Sequence, residues 1–403
     1  MNTSNSTIGS PRQKAFGKPP PPPRLSAAPH TEVSHFSSIQ QMVREAHACH
    51  ASDIHIRVGQ IPRFRIQGEI LIPKGYGKVT SEIFEAYLQE ILTPTQRQKF
   101  AENQELDTAI FYPGFLRCRV NCFYSLTGGA IVLRLISLKV PSLDELELPP
   151  VLKDIATKPQ GLVLVTGPTG SGKSTTLAAI IRYLNETVHK HIVTIEDPIE
   201  FVHSSQKCLI SQREVGLHTH EFHQALRSVL REDPDIILIG EMRDRITVNT
   251  ALQAAQTGHL VLGTLHTRNA INAVNRLLNI FNADEQEVMR VQIVESLLAV
   301  IAQLLLPTTD NGRIPVYDIL INTPTMQDYL LKNEEEEAFH LMETDSLEGM
   351  QVMNQVIYQH LITGKITTDV GIKASPDAHE LERRLRTGGI NTASSPREWM
   401  MKG

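Results

Sequence analysis

The sequence predicts an α/β protein in which a small α+β domain precedes a larger domain built around a parallel sheet. The chain has 403 residues, which is room for two or three domains of about 150 residues each. Residues 38–137 alternate apolar and polar side chains, as strands do when one face is solvated. From residue 151 onward, helical segments alternate with continuous apolar runs, which are typical of parallel strands buried on both faces.

The composition excludes some classes of function. The formal net charge is −5 and 41% of the residues are hydrophobic, so the chain is not built to coat nucleic acid, and we expect no nucleic-acid partner. No CxxC pair occurs among the four cysteines, which are Cys49, Cys118, Cys122 and Cys208. A zinc site needs about four ligands, so we expect ordinary thiols in a reduced, cytosolic protein.

The ends of the chain differ from its middle. Residues 1–37 are rich in Ser, Pro and Asn, and predict a disordered tail. Within them, "KPPPPPR" favours a polyproline II rod, which is either a plain linker or a docking peptide for a proline-binding domain. No signal peptide is visible, and residues 376–403 predict a C-terminal tail.

The first domain, 38–137, begins with a helix in "FSSIQQMVREAHA", where apolar residues recur at helical spacing. Strand-like runs "SDIHIRV" and "IPRFRIQGEIL" follow, then a helical piece over 82–100 and two more strands. Gly128 and Gly129 separate those last strands and predict a hairpin turn. Residues 138–150 predict a linker.

The second domain spans 151–375 and has buried strands at "GLVLVT", "HIVTIE", "DIILIG" and "HLVLGT". Residues 282–306 and 347–363 predict helices. The first of these contains "IVESLLAVIAQLLLP", which is shorter than the ~20 residues of a membrane span and indicates a buried helix. The acidic run 334–337 predicts a solvated face or loop.

A glycine-rich loop follows the strand "GLVLVT" and opens a helix. It fits the pattern G-x-x-x-x-G-K-[ST] and comprises Gly167, Pro168, Thr169, Gly170, Ser171, Gly172, Lys173, Ser174 and Thr175. Glycines let backbone N–H groups turn inward around phosphate oxygens, and the helix points its positive end at the same anion. We therefore expect ATP, with Lys173 bridging the β- and γ-phosphates and Ser174 holding Mg²⁺.

Acidic side chains end two other strands of this domain. "DIILIGE" ends at Glu241, which would lie beside Mg²⁺ and the attacking water. "VTIEDPIEF" ends at Glu196 and Asp197, where a carboxylate could orient or deprotonate water. His266 follows the strand that His259 begins, and could report the γ-phosphate to the next element. Surface acids and structural histidines are the alternatives.

In this order and spacing, "GPTGSGKST", "TIEDPIEF", "REDPDIILIGEMRD" and "TGHLVLGTLHT" resemble the secretion and pilus ATPases. "ASDIHI", "SQREVG" and "GRIPVYDIL" make the chain similar to the PilT family of type IV pilus retraction motors, over about residues 38–390. The four-cysteine zinc motif usual in pilus assembly motors is absent here. That absence favours the retraction branch over the extension branch.

The resemblance implies a hexamer whose subunits have a PAS-like N-terminal domain and a RecA-like P-loop ATPase domain. It also implies that Arg119 and Arg134, fifteen residues apart, reach the phosphates and stabilise charge during hydrolysis. The alternative is two ordinary strand arginines on a solvated face. Arg227 and Arg231, four apart on a helix, could serve an interface.

The chain also departs from the family pattern. Ile246 stands where the retraction branch has glutamate, and Gln256 replaces a glutamate as well. The segment "TMQDYLLK" (325–332) has Gln327 and Leu331 in place of the two arginines of an element linked to retraction. These changes leave the nucleotide-site residues intact and are compatible with a paralogue that has an accessory role.

The function implied is a hexameric, ATP-hydrolysing motor that powers pilus retraction and twitching motility. Its implied partners are an inner-membrane pilus platform protein and a paralogous pilus ATPase. Its implied location is cytoplasmic, peripheral to the inner membrane. The alternatives are a secretion or conjugative-pilus ATPase and a weakly hydrolysing regulatory paralogue of the main motor; the loop alone would also allow a small-molecule kinase.

Overall fold

A computed structural model describes residues 37–344 and 348–387. The described chain forms two compact units, the first ending at Ile136 and the second beginning at Ser137. The expected N-terminal tail lies, except for residue 37, outside the described residues, as do positions 388–403 of the expected C-terminal tail.

Unit 1 combines three helices with an antiparallel sheet. Its elements are α1 (Ile39–Ala48), β1 (Ala51–Arg57), β2 (Arg63–Ile66), β3 (Glu69–Leu71), α2 (Ser81–Ile91), α3 (Pro94–Asn103), β4 (Glu105–Tyr112), β5 (Leu116–Ser125) and β6 (Gly128–Ser137). The strand order is β3-β2-β1-β6-β5-β4. Alternating residues of β1, β5 and β6 pack with α1, α2 and α3 into one apolar core, as the period of two predicts.

The hairpin between β5 and β6 turns slightly earlier than the two glycines suggest. Residues 126 and 127 separate the strands, and Leu126 at this turn is fully exposed. Gly128 and Gly129 open β6 instead. A Cβ atom on Gly129 would lie 2.2 Å from the Phe84 ring, so this glycine is required by a close approach of helix α2.

Unit 2 alternates helices and strands. Its elements are α4 (Val151–Ala156), β7 (Gly161–Thr166), α5 (Lys173–Thr187), β8 (His191–Glu196), β9 (Leu209–Glu214), α6 (Phe222–Val229), β10 (Ile236–Ile239), α7 (Arg245–Gln256), β11 (Leu260–Leu265), α8 (Asn272–Leu278), α9 (Gln286–Ser296), β12 (Leu297–Pro307), β13 (Arg313–Ile321), α10 (Pro324–Lys332), α11 (Glu335–Thr344), α12 (Met353–Ile362), α13 (Thr368–Ala374) and α14 (Ala378–Thr387).

The sheet of unit 2 has the strand order β13-β12-β7-β11-β10-β8-β9. All neighbours are parallel except β12 and β13. Leu162 and Leu164 of β7 belong to one apolar core, whereas Val163 and Val165 belong to another. The two cores therefore cover opposite faces of the sheet, and the predicted α/β fold class is confirmed.

The helix predicted over 282–306 is wrong in its second half. Helix α9 ends at Ser296, and the following apolar run is strand β12, which lies between β7 and β13. Val300 and Ala302 pack into one core, while Ala299 and Ile301 pack into the other. A strand buried on both faces is apolar at nearly every position, so periodicity cannot distinguish it from a buried helix.

Three other boundaries differ from expectation. In 138–150, expected as a linker, Leu143 and Leu148 are buried in a core of unit 2. The helix expected over 347–363 is α12, which begins only at Met353. Part of the expected tail 376–403 forms α14, because Leu381 and Leu385 lie one turn apart and are fully buried.

The acidic run 334–337 opens α11, where Glu335, Glu336 and Glu337 are exposed, as a solvated face requires. Acidic residues in the first helical turn also complement the positive end of the helix dipole. Among the described helices, none combines the length and the apolar character that crossing a bilayer requires.

Candidate nucleotide-binding and catalytic site

The glycine-rich loop connects the end of β7 to the start of α5, as predicted. Gly167, Gly170 and Gly172 have positive φ angles of 144°, 81° and 89°. A Cβ atom on Gly167 would lie 2.3 Å from the main-chain oxygen of Gln303, and one on Gly172 would lie 2.7 Å from its Nε2. The loop thus needs glycine both for its backbone conformation and for its close approach to β12.

Lys173 bends back over the loop that precedes it. Its Nζ donates hydrogen bonds to the main-chain oxygens of Gly167 at 2.7 Å and Pro168 at 3.1 Å. Burial lowers the pKa of Lys173, and the charge of Glu241 opposes that shift. The ammonium group thus lies against two carbonyl oxygens of the loop that would bind a phosphate.

Gln303 of β12 is hydrogen-bonded to the loop and to the helix after it, and it was not predicted as a site residue. Its Nε2 donates to the main-chain oxygen of Ser171 at 2.7 Å, and its Oε1 accepts from the Thr176 hydroxyl at 2.7 Å. The residue is 3% exposed. A polar residue inside the apolar run "LLAVIAQLLLP" was the available signal, because a buried amide needs partners.

Glu241 follows β10 and lies between the side chains of Arg243 and His266. Its Oε1 lies 3.1 Å from His266 Nε2, and its Oε2 accepts a 2.5 Å hydrogen bond from the Arg243 guanidinium. The bond from Arg243 is the largest cause holding the pKa of Glu241 below its ordinary value. Glu241 and His266 therefore lie side by side, and the partners of Glu241 favour its charged form.

Glu196 is the last residue of β8, and its partners are uncharged. Its Oε1 accepts hydrogen bonds from the Thr194 hydroxyl at 2.6 Å and from Gln212 Nε2 at 3.2 Å. The main-chain N–H of Glu200 also faces the carboxylate. Burial nevertheless raises the pKa of Glu196, because desolvation outweighs the three donors.

These groups line one cavity of about 710 Å³ in unit 2, a volume typical of small-molecule sites. Its walls include Ser174, Lys173, Glu196, Glu241 and His266. A second cavity of about 660 Å³ adjoins it. Both cavities share the lining residues Gly172, Thr175, Leu305 and Arg313. The two cavities therefore lie side by side at the start of α5.

The remaining predicted residues lie elsewhere. His259 is at the opposite end of β11 from His266, and its Nδ1 lies 3.0 Å from the main-chain oxygen of Ala254, as in a structural histidine. Arg119 and Arg134 lie on β5 and β6 of unit 1. Arg134 donates to Asp53 at 2.9 Å while its side chain stays 65% exposed. A role for these two arginines at the phosphates stays a prediction.

The family model described as "Type II/IV secretion system protein" matches residues 30–312, which is well over half of the chain. The chain belongs to this family. The predicted likeness to its pilus retraction ATPases is confirmed by individual relatives.

Two relatives come from Pseudomonas aeruginosa. The type IV pilus retraction ATPase PilT is 43% identical over 323 residues, covering 79% of this chain and 92% of that protein. The type IV pilus ATPase PilU is 39% identical over 343 residues, covering 85% of this chain and 90% of that protein. A crystal structure of the pilus retraction motor PilT with bound ADP is 41% identical, with a TM-score of 0.81 and coverage of 86% and 99%.

A type II/IV secretion system protein with this architecture is a P-loop ATPase, so the ATPase domain expected from the glycine-rich loop is confirmed. The PAS-like character of unit 1 stays a prediction. The separation of the two units at Ile136 nevertheless lies within one residue of the expected end of the first domain at 137.

Proposed function

We propose that this protein is a motor that hydrolyses ATP to power the retraction of a type IV pilus. One observation carries the proposal: the phosphate loop, Glu196, Glu241 and His266 converge on a single cavity. PilT, a relative that is 43% identical over 79% of this chain, is named a pilus retraction ATPase. The ADP in the similar solved structure supports an adenine nucleotide as the ligand of the cavity.

Within the cavity, the loop N–H groups and Lys173 bind the phosphates, and the adjoining cavity takes the rest of the nucleotide. Oxygen ligands suited to Mg²⁺ are available from Ser174 and Glu241, which line the same space. No group of three His, Cys, Asp or Glu side chains in the described ranges could hold a metal alone. Held by Ser174 and Glu241, Mg²⁺ would supply positive charge against the phosphates.

In the reaction, the oxygen of a water molecule bonds to the γ-phosphorus as the bond to the β–γ bridging oxygen breaks. The electron pair of the broken bond leaves with ADP, and the proton of the water passes to Glu196. Glu241 remains ionised beside the metal ion. We assign these roles because the environments drive the pKa values of the two carboxyl groups apart.

The larger assembly is part of the same proposal. Six copies form the motor, and Arg119 and Arg134 of unit 1 stabilise charge on the phosphates. The motor works at the cytoplasmic face of the inner membrane, docked on a platform protein of the pilus. Opening and closing of the two units on ATP turnover would draw pilin subunits out of the fibre.

A regulatory paralogue is the second candidate, because two departures from the family pattern replace charges by exposed apolar side chains. Ile246 is 44% exposed and Leu331 is 37% exposed. PilU, a relative over 85% of this chain, shows that the family contains pilus ATPases other than PilT. In this candidate function the chain binds ATP, turns it over poorly and acts in mixed assemblies.

The deciding experiment measures steady-state ATP hydrolysis by the wild-type protein and by Glu241→Gln, with the mass in the same buffer from light scattering. Turnover at hexamer mass that is lost in Glu241→Gln supports the motor. A wild-type hexamer that binds ATP without hydrolysing it supports the regulatory paralogue. Full turnover in Lys173→Ala would exclude both, because that lysine is required to bind the phosphates.

A further inference from the structure

Gln212 of β9 is absent from the mechanism so far, yet its side chain joins three parts of the site. Its Nε2 donates to the main-chain oxygen of Phe201 at 2.8 Å and to Glu196 Oε1 at 3.2 Å. Its Oε1 accepts a 2.8 Å hydrogen bond from the main-chain N–H of His203. The amide is therefore bonded on both its oxygen and its nitrogen.

These partners determine which way the amide points. The N–H of His203 can only donate, so it requires the amide oxygen, and the carbonyl of Phe201 can only accept, so it requires the amide nitrogen. With both fixed, the second amide hydrogen has to face Glu196. Two main-chain groups thus lock a side-chain donor onto the carboxylate.

Thr194 supplies a second donor to the same oxygen atom. It lies two residues before Glu196 on β8, is fully buried, and stands opposite Gln212 in the pairing of β8 with β9. Its hydroxyl is 2.6 Å from Glu196 Oε1. Two adjacent strands therefore direct neutral donors at one carboxylate oxygen, an arrangement that fixes the orientation of the carboxylate.

The groups that favour the ionised form of Glu196 are neutral donors and not charged side chains. The charge of Glu200, on the segment after β8, opposes ionisation of Glu196. Asp197 and His203 of that segment line the same cavity, as do Lys173 and Glu241. On β9, Glu214 is opposite Glu196, and its carboxylate accepts instead from the Ile199 N–H at 2.9 Å. Ionised Glu196 thus depends on neutral donors.

We propose that Gln212 is a positioning residue which, together with Thr194, holds the Glu196 carboxylate oriented and ionised to take the proton of the attacking water. The proposal rests on the function proposed above, in which Glu196 is the base. It adds two residues that control the protonation of Glu196. Gln212 touches neither the water nor the phosphate and acts through Glu196. A hydrogen-bond donor to a carboxylate favours its charged form, so losing the donor should make Glu196 protonate at higher pH.

The test is the pH profile of kcat at saturating Mg·ATP for the wild type, Gln212→Leu, Thr194→Val and the control Gln206→Leu. Gln206 is an exposed glutamine on the segment between β8 and β9. We expect the acidic limb of the profile to move up by about one pH unit in Gln212→Leu and in Thr194→Val. The control should superimpose on the wild type.

Thr194→Val removes a hydroxyl at nearly constant volume and leaves the bonds of Gln212 to residues 201 and 203 in place. It therefore separates the effect on Glu196 from any loosening of that segment. An acidic limb that stays at the wild-type pH in Thr194→Val and in folded Gln212→Leu overturns the proposal, even if kcat falls equally at every pH. A wild-type protein that does not hydrolyse ATP would contradict the proposed function itself and, with it, this inference.

Discussion

The ends of strands β8 and β10 place the same side chain in opposite settings. These strands are parallel neighbours, and Glu196 and Glu241 at their ends line one cavity. Glu241 is bonded to Arg243 and close to His266, and its pKa is lowered. Glu196 meets only neutral donors, and burial raises its pKa. The two glutamates thus differ in pKa because their partners differ, although both end a strand, and this difference supports the separate roles proposed for them.

The largest expected effect is on kcat and results from replacing either glutamate. We expect Glu196→Gln and Glu241→Gln each to lower kcat by about 10²- to 10⁴-fold, because each removes a charge or base used in the reaction. Only Glu241→Gln should weaken binding of Mg²⁺ to the ADP complex, as measured by titration calorimetry. Equal loss of metal affinity in both variants would contradict the division of roles.

A second expected effect is on the phosphate loop, which lines the same cavity as both carboxylates. Gln303→Leu leaves the Thr176 hydroxyl and the Ser171 carbonyl without their partner inside the protein. Each unpaired buried group costs about 1–3 kcal/mol, so we expect a lower melting temperature and at least about tenfold weaker ATP binding. Gln292→Leu, an exposed glutamine on α9, is the matched control. Unchanged ATP affinity in Gln303→Leu would show that Gln303 does not support the nucleotide-binding conformation of the loop.

A smaller effect is expected from removing the arginine partner of Glu241, at the end of β10. Arg243→Ala should raise the pKa of Glu241, because the hydrogen bond from this arginine is the largest cause of its lowering. The side chain of Arg243 is 70% exposed and screened by solvent, so we expect only a few tenths of a pH unit in the acidic limb of kcat/KM. Stabilisation of the fold by a lowered carboxyl pKa is present above the unfolded pKa and lost as the pH falls. The free energies of unfolding of the variant and the wild type should therefore differ least in acid, where kcat/KM differs most. A larger shift than in Thr194→Val would contradict this ranking.

The smallest expected effect is on the stability of the fold, at a position on helix α7. Ile246 lies in the first turn of α7, where a carboxylate interacts favourably with the helix dipole. We expect Ile246→Glu to stabilise the fold by about 0.3–1 kcal/mol in urea unfolding and to leave kcat unchanged. Turnover that rises severalfold would instead indicate that this departure from the family weakens the motor, and would favour the regulatory paralogue.

Several parts of the fold follow from pattern alone. Strands β7, β8, β10 and β11 are short apolar runs bounded by polar residues, and each was predicted. The convergence of the loop with Glu196 and Glu241 also follows, because the carboxyl ends of parallel strands meet at one edge of a sheet. Strand β12 was missed, because an apolar run buried on both faces has no period to detect.

Within the site, the amino-acid sequence determined which chemical groups are present and that they meet: a phosphate loop, two carboxylates and a histidine at the ends of parallel strands. The partners and the burial of each group, by contrast, depend on the tertiary structure. Gln303 is 127 residues from Thr176, and Gln212 is 16 residues from Glu196. Hydrogen bonds and desolvation depend on distances of a few ångströms, and no spacing along the chain reports those distances until the strands have paired.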